Sequence, residues 1–360
     1  MKRILRAGAL MLLLMILVLA SACKKAPEKP TDPPREMGEI HTDLQLKALK
    51  ASNDRILQFA DGRKERSWPE PVILDFSDQD ISGNSFVVEF SSNRDFSDAM
   101  HARVSEKQLP VTNLLLGTTY YWRAAADEAG LASAPVRQFT TTSAAPRNMY
   151  VDGVTNVRDL GGWKAGDRVV KQGMIYRGGR LNEDEVEVPV PEITAAGIET
   201  FTQVMKIHTE LDLRRLSDNE VGGITASVVP GVDYILVDIN SGTKPDVTKE
   251  EVRQIFELFA TPEAYPIYFH CSIGTDRTGM IAAILNGLLG VAEEDLCRDY
   301  LFSNFGNIGS ARQINTIEND VLVKIKRYEG ATLQENIENY LLSCGVTPEQ
   351  IATIRSLLLE

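Results

Sequence analysis

Hydrophobic and polar positions divide the chain into stretches of different character. Behind a basic start (Lys2, Arg3, Arg6), residues 7–20 are apolar almost throughout, and small residues then lead to Cys23. Lys24 to Pro34 alternates charge with proline and has nothing to bury, the pattern of an extended tether. A helix-prone stretch from Leu44 to Phe59 precedes three short runs, Phe86–Phe90, Thr118–Arg123 and Val136–Thr140, that predict half-buried strands separated by Asn, Asp, Ser and Gly turns. From Met149 onward strand and helix patterns alternate, which predicts a central, mainly parallel sheet flanked by helices. Capping boxes at Thr248/Glu251 and Thr347/Gln350 mark two helix starts, the second with Pro348 at the first helical position and a helix from Ile351 to Leu359. The expected fold class is therefore α/β, preceded by an all-β sandwich. The boundaries are a leader over 1–22, a tether over 23–43, a sandwich over 44–145 and the α/β domain over 148–360.

The leader has the anatomy of a secretory signal: a charged start, an apolar core too short to span a bilayer comfortably, and small residues before the cut. Ordinary cleavage and an uncleaved anchor are both open for such a leader. The formal net charge of -12 and pI near 5.0 make nucleic acid an unsuitable partner, and they require anion binding to be a local affair. Four His and four Cys give no metal-ligand spacing, so no metal and no cofactor are expected. Cys297 and Cys344 either pair, if the compartment is oxidising, or stay as separate buried thiols.

The chemistry concentrates in His270-Cys271-Ser272-Ile273-Gly274-Thr275-Asp276-Arg277-Thr278-Gly279, set between an apolar strand-like run (Pro266 to Phe269) and a helix-like run (Met280 to Leu285). A loop from a buried strand into a helix N-terminus turns successive N–H groups into one concavity, and the helix dipole adds positive potential. Cys271 in such a ring is expected to be a thiolate near neutral pH and a nucleophile toward phosphorus. Arg277 presents a planar fork to two phosphate oxygens. Ser272, Ile273, Gly274, Thr275 and Asp276 supply loop amides, and Gly274 allows positive φ or a close backbone approach. The Thr278 hydroxyl is placed to bond the Cys sulfur and help it leave. The competing reading is an inert buried Cys with an Arg in a salt bridge.

Two carboxylates compete to protonate the leaving oxygen: Asp276 inside the loop, and Asp238 on Val237-Asp238-Ile239-Asn240 upstream. Asp276 has the alternative of partnering a neighbouring Arg, and Asp238 that of ending a strand in a turn. Arg158 and Arg177, with Asp159, Asp212 and Arg214, form either a charged ring that binds substrate or a structural ion-pair network.

The decapeptide resembles the His-Cys-x5-Arg-(Ser/Thr) signature of the cysteine-dependent protein tyrosine phosphatase superfamily, and most of all a bacterial branch whose loop reads His-Cys-x-x-Gly-Lys-Asp-Arg-Thr-Gly. Asn156 to Gly162 resembles that branch's Asn-Phe-Arg-Asp-Leu-Gly-Gly. Ile175-Tyr176-Arg177 with Leu181, Leu211 to Arg214 with Glu220, and Asp299 to Asn304 resemble its further motifs. The resemblance covers residues 148 to 360. It implies hydrolysis of phosphate monoesters, phosphotyrosine above all, through a phosphocysteine on Cys271, with Asp276 as the branch's acid. Thr275 stands where the branch has Lys, which weighs against the alternative substrates, phosphoinositides and inositol phosphates. A binding module with a vestigial phosphatase domain is the rival from another class, weakened because nucleophile and arginine are both kept.

Leu19 to Cys23 resembles a bacterial lipobox, implying an exported chain lipid-anchored at Cys23 in a bacterial membrane, on its periplasmic or cell-surface side. Leu114 to Tyr120 is similar to the tyrosine corner of fibronectin type III domains, which implies a hydrogen bond from Tyr120 back across the corner. A spacer role suits this sandwich, and its partner is not legible.

Overall fold

The computed structural model describes residues 35–182, 192–216, 221–239 and 247–360. The leader, Cys23, the first part of the tether, Glu220 and Asn240 lie outside the described residues. No helix among the described residues is long and apolar enough to cross a membrane.

Order begins earlier than the expected end of the tether. Strand β1 (Arg35–Gly38) pairs in parallel with a later strand, and helix α1 (Asp43–Lys50) follows, opened by a capping box between Thr42 and Gln45. β2 (Val72–Asp75), β3 (Phe86–Ser91), β4 (Met100–Val104), β5 (Gln108–Val111), β6 (Thr119–Ala125), the short α2 (Glu128–Leu131) and β7 (Arg137–Thr141) come next. They form a five-stranded sheet in the order β1-β7-β6-β3-β4 and a two-stranded sheet, β2-β5. Both contribute to one core that includes Leu74, Phe76, Phe86, Val88, Trp122 and Phe139.

The expected half-burial of β3 is exceeded. Phe86, Val88 and Phe90 face that core, while Val87 on the other face is covered by Ala125 and by Leu131 of α2. Tyr120 is bonded across the turn before β6, but as acceptor: Leu115 N–H donates to Tyr120 Oη at 3.0 Å.

Residues between β1 and β2 do not belong to these sheets. Ala48, Ile56 and Ala60 are buried in the core of the following domain, where an apolar surface takes them up. Residues 60–67 run as a strap along residues 304–308, with Gly62 N–H on Asn304 O (2.8 Å), Arg66 N–H on Phe305 O (2.5 Å) and Ile308 N–H on Gly62 O (2.9 Å).

The α/β domain is a six-stranded sheet. In chain order its members are β8 (Arg147–Asn148), β9 (Arg158–Asp159), β12 (Ile175–Gly178), β13 (Thr209–Asp212), β14 (Asp233–Leu236) and β15 (Ile267–His270). A small hairpin of β10 (Lys164–Ala165) and β11 (Arg168–Val169) lies between β9 and β12, and α3 (Ala195–Glu199) between β12 and β13. The strand order is β14-β13-β15-β12-β9-β8. The first four are mutually parallel, and β9 and β8 add antiparallel edges. Helix α4 (Lys249–Phe259), with the expected Thr248/Glu251 box, crosses from β14 to β15 and buries Val252, Ile255, Phe256 and Phe259. After β15 come α5 (Asp276–Leu289), α6 (Glu293–Phe302), α7 (Ile314–Ile317), α8 (Val323–Ile325), α9 (Leu333–Ser343) and α10 (Pro348–Leu358). The last opens with the Thr347/Gln350 box and Pro348 in its first turn.

Every residue of α5 from Arg277 to Leu289 is buried, which is why its sequence is apolar all round rather than on one stripe. Gly287 lets the Ile337 side chain of α9 approach, since a Cβ there would strike it. Cys297 of α6 and Cys344 after α9 are separate free thiols packed in this core. Burial pushes both up, Cys297 to about 12.

Candidate active site

β15 is flanked on both sides by parallel strands, so its C-terminal end opens at the middle of the sheet, where loops converge. Residues 271–275 turn there into α5. Gly274 takes φ +68°, and a Cβ at that position would strike the Gly178 carbonyl, so backbone conformation and clearance both demand glycine.

The loop's carbonyls are tied outward. Asn156, itself in the left-handed region at φ +61°, donates its amide to Ile273 O and Gly274 O (both 3.1 Å) and to Thr275 Oγ1 (3.3 Å). Arg177 Nη2 donates to Gly274 O at 2.7 Å, and Arg180 N–H to Ser272 O at 3.1 Å. A peptide whose C=O is held on one side presents its N–H to the other. The amides of Ser272, Ile273, Gly274 and Thr275 have no protein acceptor among the described residues, which is the arrangement of an anion nest.

Cys271 is buried at the mouth of this nest. Burial opposes ionisation and is the largest influence on its thiol, but the Arg277 charge and donors from the Thr278 hydroxyl and backbone outweigh it. Asp276 works against them, and the net result is a thiol more acidic than usual. Thr278 Oγ1 has no nitrogen or oxygen partner, which leaves it for the sulfur. Arg277 is buried, with Nη1 on Leu213 O at 3.1 Å.

Behind the nucleophile, His270 has an acceptor at each ring nitrogen: Cys271 O at 3.1 Å from Nδ1 and Glu210 Oε1 at 2.9 Å from Nε2. Two acceptors require two N–H groups, so the partners assign an imidazolium. Burial opposes that charge, but Asp212 and Glu210 outweigh it and raise the His270 pKa. Glu210, Asp212 and His270 bring three potential metal-ligating atoms within 4.8 Å of one another. Those groups are already engaged, Glu210 by His270, and Asp212 by Arg214 (2.6 Å to Nη2) and Tyr234 Oη (2.9 Å).

Of the two readings of Arg158 and Arg177, a substrate-binding ring or a structural ion-pair network, the contacts present are of the second kind. Both arginines are fully buried and both pair with Asp299 of α6, Arg158 Nε at 2.8 Å and Arg177 Nη1 at 2.6 Å. Arg158 Nη1 also holds Asn156 Oδ1 at 2.6 Å. Arg158 and the terminal nitrogens of Arg177 bond Asp299, Asn156 and the outer side of the loop, which braces the nest from beneath, while Arg177 Nε has no partner among the described residues. Burial, with the like charge of Arg158, lowers the Arg177 pKa to about 10. Asp299 is held below the carboxylate range because the two arginines outweigh its burial. Asp159 accepts from Arg147 (2.8 Å), Gly161 N–H (2.8 Å) and Gly173 N–H (2.6 Å), fixing the turn after β9.

The two acid candidates sit differently. Asp276, in the first turn of α5, accepts from Arg312 Nε (3.0 Å), Arg312 Nη2 (2.9 Å) and Tyr300 Oη (3.1 Å), and its charge reaches the Cys271 thiol. Asp238 lies just beyond β14 with an exposed side chain that accepts from Leu216 N–H at 3.3 Å.

Comparison with known proteins bears on the same stretch: residues 149–360 match the family described as "Tyrosine phosphatase family". The chain belongs to the tyrosine phosphatase family. A Cupriavidus necator protein named "Putative tyrosine-protein phosphatase" is 30% identical over 185 residues, 44% of this chain and 64% of the relative. A Nostoc commune tyrosine-protein phosphatase is 34% identical over 56 residues, 16% of this chain and 19% of the relative. The chain thus spans less than two thirds of these relatives' lengths. Among solved structures, the catalytic core of the Saccharomyces cerevisiae PP-IP phosphatase SIW14 in complex with citrate is 16% identical, covering 44% of this chain and 88% of its own, at a TM-score of 0.30. Pseudomonas aeruginosa TpbA is 16% identical, covering 51% and 96%, at 0.31.

Several residues of this tyrosine phosphatase site escaped sequence reasoning. Asn156 and Asp299 lie in motifs noted above, but their roles as loop clamp and shared counter-ion need the fold to bring them to the loop. Glu210 precedes the Leu211 to Arg214 motif without a signal of its own. Tyr300 and Arg312 meet Asp276 from α6 and from the loop before α7, and nothing in their local sequence marks Arg312.

Proposed function

We propose that the chain hydrolyses phosphate monoesters, above all phosphotyrosine, through a phosphocysteine on Cys271. The observation that carries this reading is the nest itself: an acidified thiol among inward-facing amides whose carbonyls are tied outward by Asn156 and Arg177. In the first step the Cys271 thiolate attacks phosphorus along the line of the leaving oxygen. The S–P bond forms, the P–O bond breaks, and Asp276 gives its proton to the departing phenolate. Loop amides and Arg277 hold the equatorial oxygens as charge redistributes. In the second step Asp276, now a carboxylate, takes a proton from water as its oxygen attacks phosphorus, and the thiolate leaves with help from Thr278. Asp276 rather than Asp238 is taken as the acid because it closes the Cys271 loop at the start of α5, while Asp238 is exposed beyond β14.

Around this domain, the reading includes an exported chain lipid-anchored at Cys23 and a fibronectin type III-like sandwich. The leader's residue pattern supports the first, and the Tyr120 corner supports the second.

The test is phosphate release by the purified chain in reductant with EDTA, offered phosphotyrosine peptide, phosphoserine peptide, phosphoinositide and inositol hexakisphosphate. Release from the tyrosine peptide that disappears in Cys271→Ser is the expected result. Preference for the inositol compounds would move the substrate class, and no release from any of them would contradict the reading.

A further inference from the structure

The Asp276 carboxylate carries a conflict. A general acid must hold a proton, yet both of its oxygens accept N–H groups from one guanidinium: Arg312 Nε on Oδ1 at 3.0 Å and Nη2 on Oδ2 at 2.9 Å. Tyr300 Oη adds a third donor at 3.1 Å on Oδ1. This two-pronged pairing and Tyr300 take three of the carboxylate's roughly four lone-pair sites, and the site left for a proton is on Oδ2, beside Arg312 Nη2. Opening the pair removes two of the three donors and leaves that edge of the carboxylate to a proton and the leaving oxygen.

The destination of the guanidinium is nearby. Arg312 is bonded to Asp276, the residue at which the Cys271 loop enters α5, so its guanidinium borders the loop that would hold the phosphoryl group. The loop itself offers Thr275, an uncharged side chain, and Arg277 keeps one nitrogen on Leu213 O. A phosphate ester dianion has charge for a second cation. Any change of partner would be confined to the side chain of Arg312. Its backbone is pinned on both sides by Asn304, Arg312 N–H on Oδ1 at 2.8 Å and Nδ2 on Arg312 O at 2.9 Å. Nη1 rests on Ser310 O and Oγ, while the side chain keeps 16% exposure.

We propose that Arg312 exchanges partners during the reaction: its guanidinium passes from the Asp276 carboxylate to a non-bridging oxygen of the bound phosphate monoester, and Asp276 is thereby released to carry the proton for the leaving oxygen. Tyr300 stays on Asp276 and keeps it oriented. This rests on the reading of Cys271 as nucleophile and Asp276 as acid. It makes substrate phosphate the trigger that arms the acid, since binding and release of the carboxylate are one event.

The test separates the exchange from the activity. Full-length Cys271→Ser protein is titrated calorimetrically with inorganic phosphate and with phosphotyrosine, alone and combined with Arg312→Gln, Arg312→Lys, Asp276→Asn, and Asp276→Asn with Arg312→Gln. Arg312→Gln is expected to weaken Kd by about tenfold or more, the loss of one charge-assisted contact. Arg312→Lys, which keeps charge without the fork, falls between. Asp276→Asn tightens binding several-fold because Arg312 is no longer held, and the gain vanishes in the double variant.

With Cys271 intact, Arg312→Gln raises KM for phosphotyrosine and 4-nitrophenyl phosphate alike while the leaving-group dependence of kcat is kept. An unchanged Kd and KM, with kcat lost on phosphotyrosine far more than on 4-nitrophenyl phosphate, would overturn the exchange and leave Arg312 only positioning Asp276. If the wild-type chain turns over neither substrate, the activity reading fails, and the titrations still decide the exchange.

Discussion

At the scale of single residues, the account turns on the state of one sulfur. The Arg277 charge and the Thr278 donors acidify Cys271 against its burial, so the thiolate persists below the ordinary thiol range and is lost only as pH falls through the lowered value. Alkylation by iodoacetamide followed across pH should therefore titrate Cys271 at lower pH than an ordinary cysteine. Arg277→Lys should shift that titration less than Arg277→Ala, which raises it most. A profile that Arg277→Ala does not move would sever the arginine from the thiol. The buried ion pairs are a second residue-level claim. Asp299→Asn leaves Arg158 and Arg177 as two uncompensated buried cations, and roughly 3–5 kcal/mol of stability should be lost in urea unfolding. A loss near zero would mean that Asp299 is not their counter-ion.

At the scale of elements, the loop's shape depends on clamps that are remote in sequence. Asn156→Asp turns a donor that serves two carbonyls and the Thr275 hydroxyl into an acceptor facing both carbonyls, so phosphate binding should fall by at least about tenfold while the thermal transition remains cooperative. Unchanged binding would show that the loop holds its own form. This division also explains what the sequence made legible. The decapeptide, the strand before it and the helix after it are local, as are the two capping boxes, so periodicity and spacing expose them, whereas the Tyr120 corner was legible only through a resemblance. Arg158 and Arg177 were legible as charged motif residues but not by direction, because only the fold shows Asp299 taking up both guanidiniums. Arg312 was illegible because it meets Asp276 across two intervening helices. Burial of both faces of β3 depended on the four-residue α2, too short to carry a periodic signal.

At the scale of the whole molecule, the segment before the sheets is part of the phosphatase domain's fabric. Ala48, Ile56 and Ala60 fill its core, and the strap at residues 60–67 holds the loop that leads to Arg312. Glu65 of that strap accepts from Thr155, the neighbour of Asn156, and from Asn307 N–H at 3.2 Å. The corner of the N-terminal sheets is tied in as well, with Arg147 Nε on Leu114 O (2.9 Å) and Leu116 N–H on Gln172 Oε1 (2.8 Å). A spacer hung on a flexible joint would not share side chains with the site it carries. Residues 35–360 should thus unfold in a single calorimetric transition, and residues 148–360 alone should melt lower and bind phosphate more weakly. Two separate transitions, with full phosphate affinity in the shorter chain, would restore the independent spacer.

The central claim is that Cys271 carries the phosphoryl group, and the most direct measurement is mass spectrometry of the chain acid-quenched during turnover of a phosphotyrosine peptide. The account predicts one added phosphoryl group, mapped by peptide digestion to Cys271 and absent from Cys271→Ser. Sustained phosphate release with the chain unmodified, or modified at another residue, would contradict it.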